Sequence, residues 1–140
     1  MQRKGSAVWK GGLKDGNGQV STGSGGLAAA PYTFASRFES GGKTDPEELI
    51  AAAHAACFSM ALSGQLGQAS LKADRIATTA NLTLEKTDAG MTVTAIHLMV
   101  KAKVPGADKA AFDKAVGNAR AGCPISRLLN AKITAEATLE

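Results

Sequence analysis

The sequence predicts an α+β fold in which a mainly antiparallel sheet wraps around one long buried helix. The helix is indicated by residues 44–67, an apolar stretch of helical length. Runs that alternate between apolar and polar residues lie before and after it, bounded by turn residues, and these indicate strands. The order of strands, long helix, strands, helix and strand is typical of α+β proteins. The length of 140 residues suits one domain, so we expect residues 1–140 to form a single domain.

The segment before the helix is predicted to form β-structure with glycine-rich turns. Ser6–Trp9 is a candidate strand, Gln19–Thr22 its return strand, and Asn17–Gly18 the tight turn of the hairpin. Tyr32–Glu39 alternates with period 2 and is predicted as a further strand. Residues 40–43 are predicted to form the loop that leads into the central helix.

The central helix has a well-marked start. Asp45 is a suitable cap, and Pro46 suits the first helical position, where the missing N–H costs nothing. Glu47 and Glu48 place negative charge at the positive end of the helix dipole. The side chains that follow are apolar nearly all round the helix, which predicts that the helix lies inside the protein or an assembly rather than on a surface.

Two strands and a turn follow the central helix. Ile76–Leu84 and Met91–Val104 are predicted to pair through a turn at Thr87–Gly90. The apolar residues of the second strand do not alternate strictly, which indicates a bulge or burial on both faces. The remaining elements are an amphipathic helix, a short helical segment and a final strand: Asp108–Ala121, Pro124–Leu129 and Ile133–Leu139.

Composition restricts the class of protein. Much of the 44% hydrophobic content is alanine, which fills little volume, so we expect an oligomer interface to supply part of the burial. The net charge of +4 is spread along the chain, which argues against a nucleic-acid surface. We expect no apolar stretch long enough to span a bilayer, and no signal peptide because residues 1–12 contain no apolar segment of that type. A cytoplasmic location without membrane attachment is therefore expected.

The two cysteines lie in different predicted settings. Cys57 lies in the apolar middle of the helix, where a thiol is inert unless a cation is near. Cys123 precedes Pro124, and the free N–H groups of a helical turn that starts at proline favour a thiolate there. There is no CxxC motif, and one nearby histidine leaves a metal site short of ligands, so no metal is expected. From the residues alone, catalytic thiols and two unconnected buried cysteines are equally open.

Three further residues have a structural interpretation beside a chemical one. His54 shares a helix face with Cys57 and would be its base, but a core or interface histidine is the favoured interpretation. Arg37 is by default a solvated surface charge. Glu47 is sufficiently explained as an acid in the first helical turn.

The segments PYTFASRFE, TDPEELIAAAHAACFSMALS and AGCPISRLL resemble the OsmC/Ohr family of osmotically inducible and organic hydroperoxide resistance proteins, and its OsmC branch in particular. The resemblance covers essentially the whole chain in order and spacing. It implies an interwoven homodimer that acts as a thiol peroxidase without metal or other cofactor. It also implies that Cys57 is the peroxidatic and Cys123 the resolving cysteine, and that Arg37 and Glu47 are the arginine and acid that pair beside the thiol.

The expected activity is reduction of organic hydroperoxides, and less efficiently of hydrogen peroxide, to alcohols. Cys57 would become a sulfenic acid and condense with Cys123 to an intrasubunit disulfide, which a dithiol reduces. The resemblance points to lipoylated proteins as that dithiol. Two other classes stay open: a binding or sensing protein whose cysteines react once without turnover, and a structural dimer with inert thiols.

Helix geometry predicts how the subunits share the site. Glu47 and Cys57 are separated by roughly 15 Å along one helix and by about 80° around it. One arginine cannot easily reach both within a subunit, so we expect Glu47 of one chain to serve the thiols of the other in the homodimer.

Overall fold

The computed structural model describes residues 1–39 and 42–140. Within them the chain divides into two compact units, Met1–Leu49 and Ile50–Glu140, and each is described by itself. The α+β class is confirmed, since both sheets and helices are present. The described elements, in chain order, are β1 Gly5–Lys10, β2 Asn17–Thr22, β3 Ala30–Thr33, α1 Phe34–Phe38, α2 Pro46–Gln68, β4 Arg75–Thr87, β5 Gly90–Lys103, α3 Lys109–Gly122, α4 Pro124–Leu128 and β6 Lys132–Leu139.

The first unit contains an antiparallel sheet in the order β1-β2-β3. The two expected strands of its hairpin are present, but the prediction that Asn17–Gly18 forms the turn is wrong, because both residues lie inside β2. Gly18 pairs with Trp9 on one side and Tyr32 on the other, and the two rings lie 5.4 Å apart. A Cβ on Gly18 would stand 2.5 Å from the ring of Tyr32. This glycine therefore makes room for two aromatic rings rather than for a turn.

The predicted strand Tyr32–Glu39 ends early. Strand β3 stops at Thr33, and Phe34–Phe38 form helix α1, so the strand prediction is wrong for this part and Arg37 lies on a helix. The cause is local hydrogen bonding: the N–H of Ser36 donates to Thr33 Oγ1 and the N–H of Thr33 donates to Ser36 Oγ. This reciprocal capping box starts a helix where the apolar pattern alone reads as a strand. In the predicted loop 40–43, residues 40 and 41 lie outside the described residues.

Helix α2 is confirmed, beginning at Pro46 as expected. Within this one chain, α2 is buried along one side. Its buried residues recur every fourth position and form a single stripe: His54, Phe58, Leu62 and Leu66. On the other side Ala52, Ala53, Ala56 and Met60 are exposed, Met60 by 78%. The chain thus leaves an apolar surface of α2 uncovered.

The same helix corrects the expectation about membrane spans. Pro46–Gln68 is long and apolar enough to cross a bilayer by length and composition. Core helices of soluble proteins pass the same criterion, so this property does not by itself indicate a membrane protein.

The second unit contains a sheet in the order β4-β5-β6. Strands β4 and β5 form the predicted hairpin, with the turn between Thr87 and Gly90. Their register shifts between Thr83 and Leu84, which agrees with a bulge, one of the two alternatives that the sequence left open. Strand β6 pairs with β5 in parallel, after the chain has crossed back through α3 and α4.

Helix α3 carries the apolar face that was expected of it. Asp108 caps it by accepting a hydrogen bond from the N–H of Ala111, and the short helix α4 follows as predicted. The core of this unit joins α2, α3 and β5, and its buried members are Phe58, Leu62, Leu66, Ile96, Leu98, Val100, Ala102, Val104, Phe112, Ala115, Val116 and Ala119.

Candidate active site

The second unit brings the two cysteines together. Cys57 Sγ in the middle of α2 lies 2.6 Å from Cys123 Sγ, at the junction of α3 and α4, and both thiols are free. Cys123 is fully buried, whereas Cys57 is partly exposed. Because a disulfide joins sulfurs about 2.05 Å apart, a small approach would suffice to link them. Of the two interpretations left open by the sequence, the structure contradicts unconnected cysteines.

The surroundings of Cys57 favour its neutral form. Burial raises the pKa of the Cys57 thiol, and the hydrogen bond with Cys123 raises it further. A backbone hydrogen bond from Ile125 in α4 lowers this pKa and is the opposing influence. The turn that starts at Pro124 therefore directs an N–H group toward Cys57, whereas the sequence suggested that its N–H groups serve Cys123. Within residues 50–140 no cation stabilises a Cys57 thiolate.

Arg37 and Glu47 form a two-bond ion pair in the first unit. Arg37 Nε donates to Glu47 Oε2 at 2.9 Å, and Nη2 donates to Oε1 at 2.6 Å. Glu47 is only 14% exposed and Arg37 38%, and the hydrogen bond to Glu47 raises the pKa of Arg37. The guanidinium also lies 5.0 Å from the centre of the Phe38 ring. A guanidinium held in this plane is a fixed positive charge. Glu47 also lies in the first turn of α2, as the sequence indicated.

His54 lies at the start of the buried stripe of α2 and is fully buried. Its Nε2 is 2.7 Å from Ser126 Oγ in α4, and its Nδ1 has no hydrogen-bond partner in the described part of the chain. Burial lowers the pKa of His54, so the ring is neutral at pH 7. Its recorded partner is Ser126 rather than Cys57, which favours the interpretation as a core histidine over a base for the thiol.

Comparison with known proteins identifies the family. The family model described as "OsmC-like protein" matches residues 39–138. The chain belongs to the OsmC family. It is 50% identical over 140 residues to Peroxiredoxin OsmC of Escherichia coli strain K12, covering 100% of this chain and 98% of that protein.

Solved structures support the fold of this OsmC family member. An OsmC-like protein of Vibrio cholerae superposes with a TM-score of 0.80 at 15% identity, covering 99% of each chain. The organic hydroperoxide resistance protein OhrB of Bacillus subtilis superposes with a TM-score of 0.68 at 21% identity, covering 98% of each chain. At these identities the likeness establishes the fold alone.

The sequence missed two contributors to the site. Ile125 acts through its backbone and Ser126 through its hydroxyl, and both belong to α4. The signal for Ile125 was the turn that starts at Pro124, but a sequence does not show which sulfur such a turn faces. Across residues 1–39 and 42–140, no group of three metal-ligating side chains is positioned to hold a metal ion.

Proposed function

We propose that this protein is a cysteine-dependent peroxidase that reduces organic hydroperoxides to alcohols in the cytoplasm. The observation that carries the proposal is the pair of free thiols 2.6 Å apart, one partly exposed and one buried, in a chain 50% identical to Peroxiredoxin OsmC. A reactive thiol beside a second thiol is what a peroxidase needs to return to its starting state.

The reaction runs in three steps. The Cys57 thiolate attacks a peroxide oxygen and the O–O bond breaks, so that an alcohol leaves with a proton and Cys57 becomes a sulfenic acid. The Cys123 sulfur then attacks the sulfenic sulfur, the S–O bond breaks, and water leaves as the disulfide forms. An external dithiol reduces this disulfide and is itself oxidised. A lipoylated protein is the reductant that the family resemblance suggests.

The first step needs a thiolate, and Arg37 supplies the charge for it. Burial holds the pKa of Cys57 above its usual range, so a fixed cation has to offset that cost. Arg37 meets the requirement because Glu47 holds its guanidinium through two hydrogen bonds. We place Arg37 and Glu47 of one subunit beside the thiols of the other in a homodimer. The exposed apolar side of α2, which a second copy would cover, supports that assembly.

Replacement of Arg37 by Gln is expected to raise the pKa of Cys57 above the usual value of about 8.5, because burial then acts without a compensating cation. The measurement is the rate of iodoacetamide alkylation of Cys57 against pH, in the Cys123→Ser background so that one thiol reacts. The protein with Arg37 intact should show a lower pKa and a faster rate at pH 7. Identical profiles with and without Arg37 would exclude it as the stabilising cation. Lys101→Gln, which removes an exposed charge on β5, is the matched control.

Turnover separates the enzyme from a sensor that reacts once. With a dithiol in excess, we expect an alkyl hydroperoxide to be consumed far beyond one equivalent per subunit, whereas a sensor stops at one. Dihydrolipoate should sustain the reaction better than a monothiol, because a dithiol completes the exchange within one molecule. Consumption that stops at one equivalent with every reductant would contradict the proposal.

The same assay tests substrate preference. Met60 is exposed on α2, and Phe34 packs against Phe38 with ring centres 4.8 Å apart, so apolar groups are available to contact an alkyl chain. We therefore expect a higher kcat/KM for cumene hydroperoxide than for hydrogen peroxide.

A further inference from the structure

His54 is the polar member of an otherwise apolar buried stripe on α2. An imidazole ring in this position fills the core no better than an apolar side chain would. Its Nδ1 lacks a partner, so burying the ring costs more free energy than burying an apolar side chain. With the proton on Nε2, the neutral ring donates to Ser126 Oγ and leaves only a lone pair unpaired at Nδ1. The opposite tautomer would leave a buried donor unpaired at Nδ1, so burial of that atom favours the tautomer that donates to Ser126.

Helix α4 depends on such a contact because it has no buried side chain of its own. It is five residues long, Pro124–Leu128. The residue before it, Cys123, is buried, and the residue after it, Leu129, packs against the core. Between these two ends, Ser126 is the residue of α4 whose side chain bonds to α2.

Three groups of this short segment face one turn of α2. The Cys123 sulfur and the backbone of Ile125 act on Cys57, and the hydroxyl of Ser126 bonds to His54, one helical turn earlier. A displacement of α4 would therefore move the resolving sulfur and the N–H donor together.

We propose that His54 and Ser126 are positioning residues for disulfide formation. Their hydrogen bond holds α4 against α2, which keeps the Cys123 sulfur within reach of oxidised Cys57. The inference rests on the proposed peroxidase function, since it concerns the fate of the sulfenic acid that the peroxidase reaction forms on Cys57.

Two reactions compete for that sulfenic acid. In resolution, Cys123 attacks the sulfenic sulfur of Cys57, the S–S bond forms, the S–O bond breaks and the oxygen leaves as water. In overoxidation, a second hydroperoxide transfers an oxygen to the same sulfur, which yields sulfinic acid and a second alcohol. If α4 is held less firmly against α2, disulfide formation slows and overoxidation is unchanged. The ratio of sulfinic acid to disulfide therefore measures how well the contact between His54 and Ser126 positions Cys123.

The test replaces Ser126 by Ala and exposes the protein to a pulse of cumene hydroperoxide. Mass spectrometry then measures the ratio of Cys57 sulfinic acid to Cys57–Cys123 disulfide. We expect this ratio to rise roughly fivefold, the factor that corresponds to loss of one hydrogen bond. His54→Gln should raise it similarly, and Ser126→Thr, which keeps a hydroxyl, should restore the wild-type ratio. The control is Ser59→Ala, which removes a hydroxyl of α2 that bonds to Thr78 of β4 at 2.8 Å and should leave the ratio unchanged.

An unchanged ratio in Ser126→Ala would overturn the inference, as would an equal rise in Ser59→Ala. A slower formation of sulfenic acid with an unchanged ratio would also overturn it, because His54 would then act on the first step as a base.

A second measurement needs no peroxide. Oxidised glutathione forms a mixed disulfide with Cys57, and attack by Cys123 on the Cys57 sulfur then releases glutathione. We expect this release to slow roughly fivefold in Ser126→Ala. If the wild-type protein consumes no hydroperoxide but this release slows as stated, the peroxidase function fails and the role of the contact stands. If hydroperoxide is consumed and the release is unaffected, the positioning role fails alone.

Discussion

Cys57→Ser is expected to lower kcat/KM for an alkyl hydroperoxide by a factor on the order of 10⁴ or more, as loss of a nucleophile does in other enzymes. A hydroxyl does not ionise near neutral pH and does not accept oxygen from a peroxide, so no residual thiol chemistry replaces Cys57. Cys123→Ser is expected to behave differently, since Cys57 stays able to attack. Without added dithiol, that variant should consume one equivalent of hydroperoxide rapidly and then stop with Cys57 as a sulfenic acid. Stopped-flow consumption with one equivalent of substrate measures both.

The product on Cys57 distinguishes the two roles. In Cys123→Ser, a dimedone adduct should appear on Cys57 after one equivalent and sulfinic acid after excess hydroperoxide. Ser59→Ala is a suitable control because it alters α2 two residues from Cys57 without touching a thiol. If Cys57→Ser gave the fast single turnover and Cys123→Ser gave none, the attacking and resolving roles would be reversed.

The elements were predictable where the hydrophobic period and the turn residues agree. Helix α2, the hairpin β4–β5 and helix α3 fall where the sequence places them, although α3 begins at Lys109 because Asp108 is its cap. The errors lie where a short-range hydrogen bond or a packing demand competes with the pattern. The capping box of Thr33 and Ser36 starts a helix within an alternating run that indicated a strand. At Gly18, a side chain would collide with the rings of Trp9 and Tyr32, so a glycine is required inside a strand.

The site was predictable in part. The two thiols meet as the family resemblance implied, and Arg37 pairs with Glu47 through two hydrogen bonds. Ile125 and Ser126 escaped prediction because their contribution depends on the direction in which α4 faces α2, and neither residue type carries a chemical signal. The apolar composition of α2 predicted a buried helix, but composition does not show which side of the helix a single chain covers.

Mixed dimers are expected to recover activity that neither parent has. Glu47→Ala releases the Arg37 guanidinium from its two hydrogen bonds, and Cys57→Ser removes the nucleophile, so each homodimer should be nearly inactive. If the ion pair of one subunit serves the thiols of the other, a heterodimer of these variants contains one intact site and one that lacks both groups. Co-expression with two different tags isolates the heterodimer, and its kcat per dimer should be about half that of the wild type.

The intrachain ion pair supplies the decisive control. Because Arg37 and Glu47 bond to each other within one chain, Arg37→Ala should also complement Cys57→Ser. A heterodimer of Arg37→Ala with Glu47→Ala should not recover, since each of its two sites then lacks one member of the pair. Had the arginine and the acid come from different chains, that heterodimer would regain one complete site. The shared site would be contradicted if the heterodimer of Glu47→Ala with Cys57→Ser were inactive while forming dimers to the same extent as the wild type. The acid and the thiols of one site would then come from the same subunit.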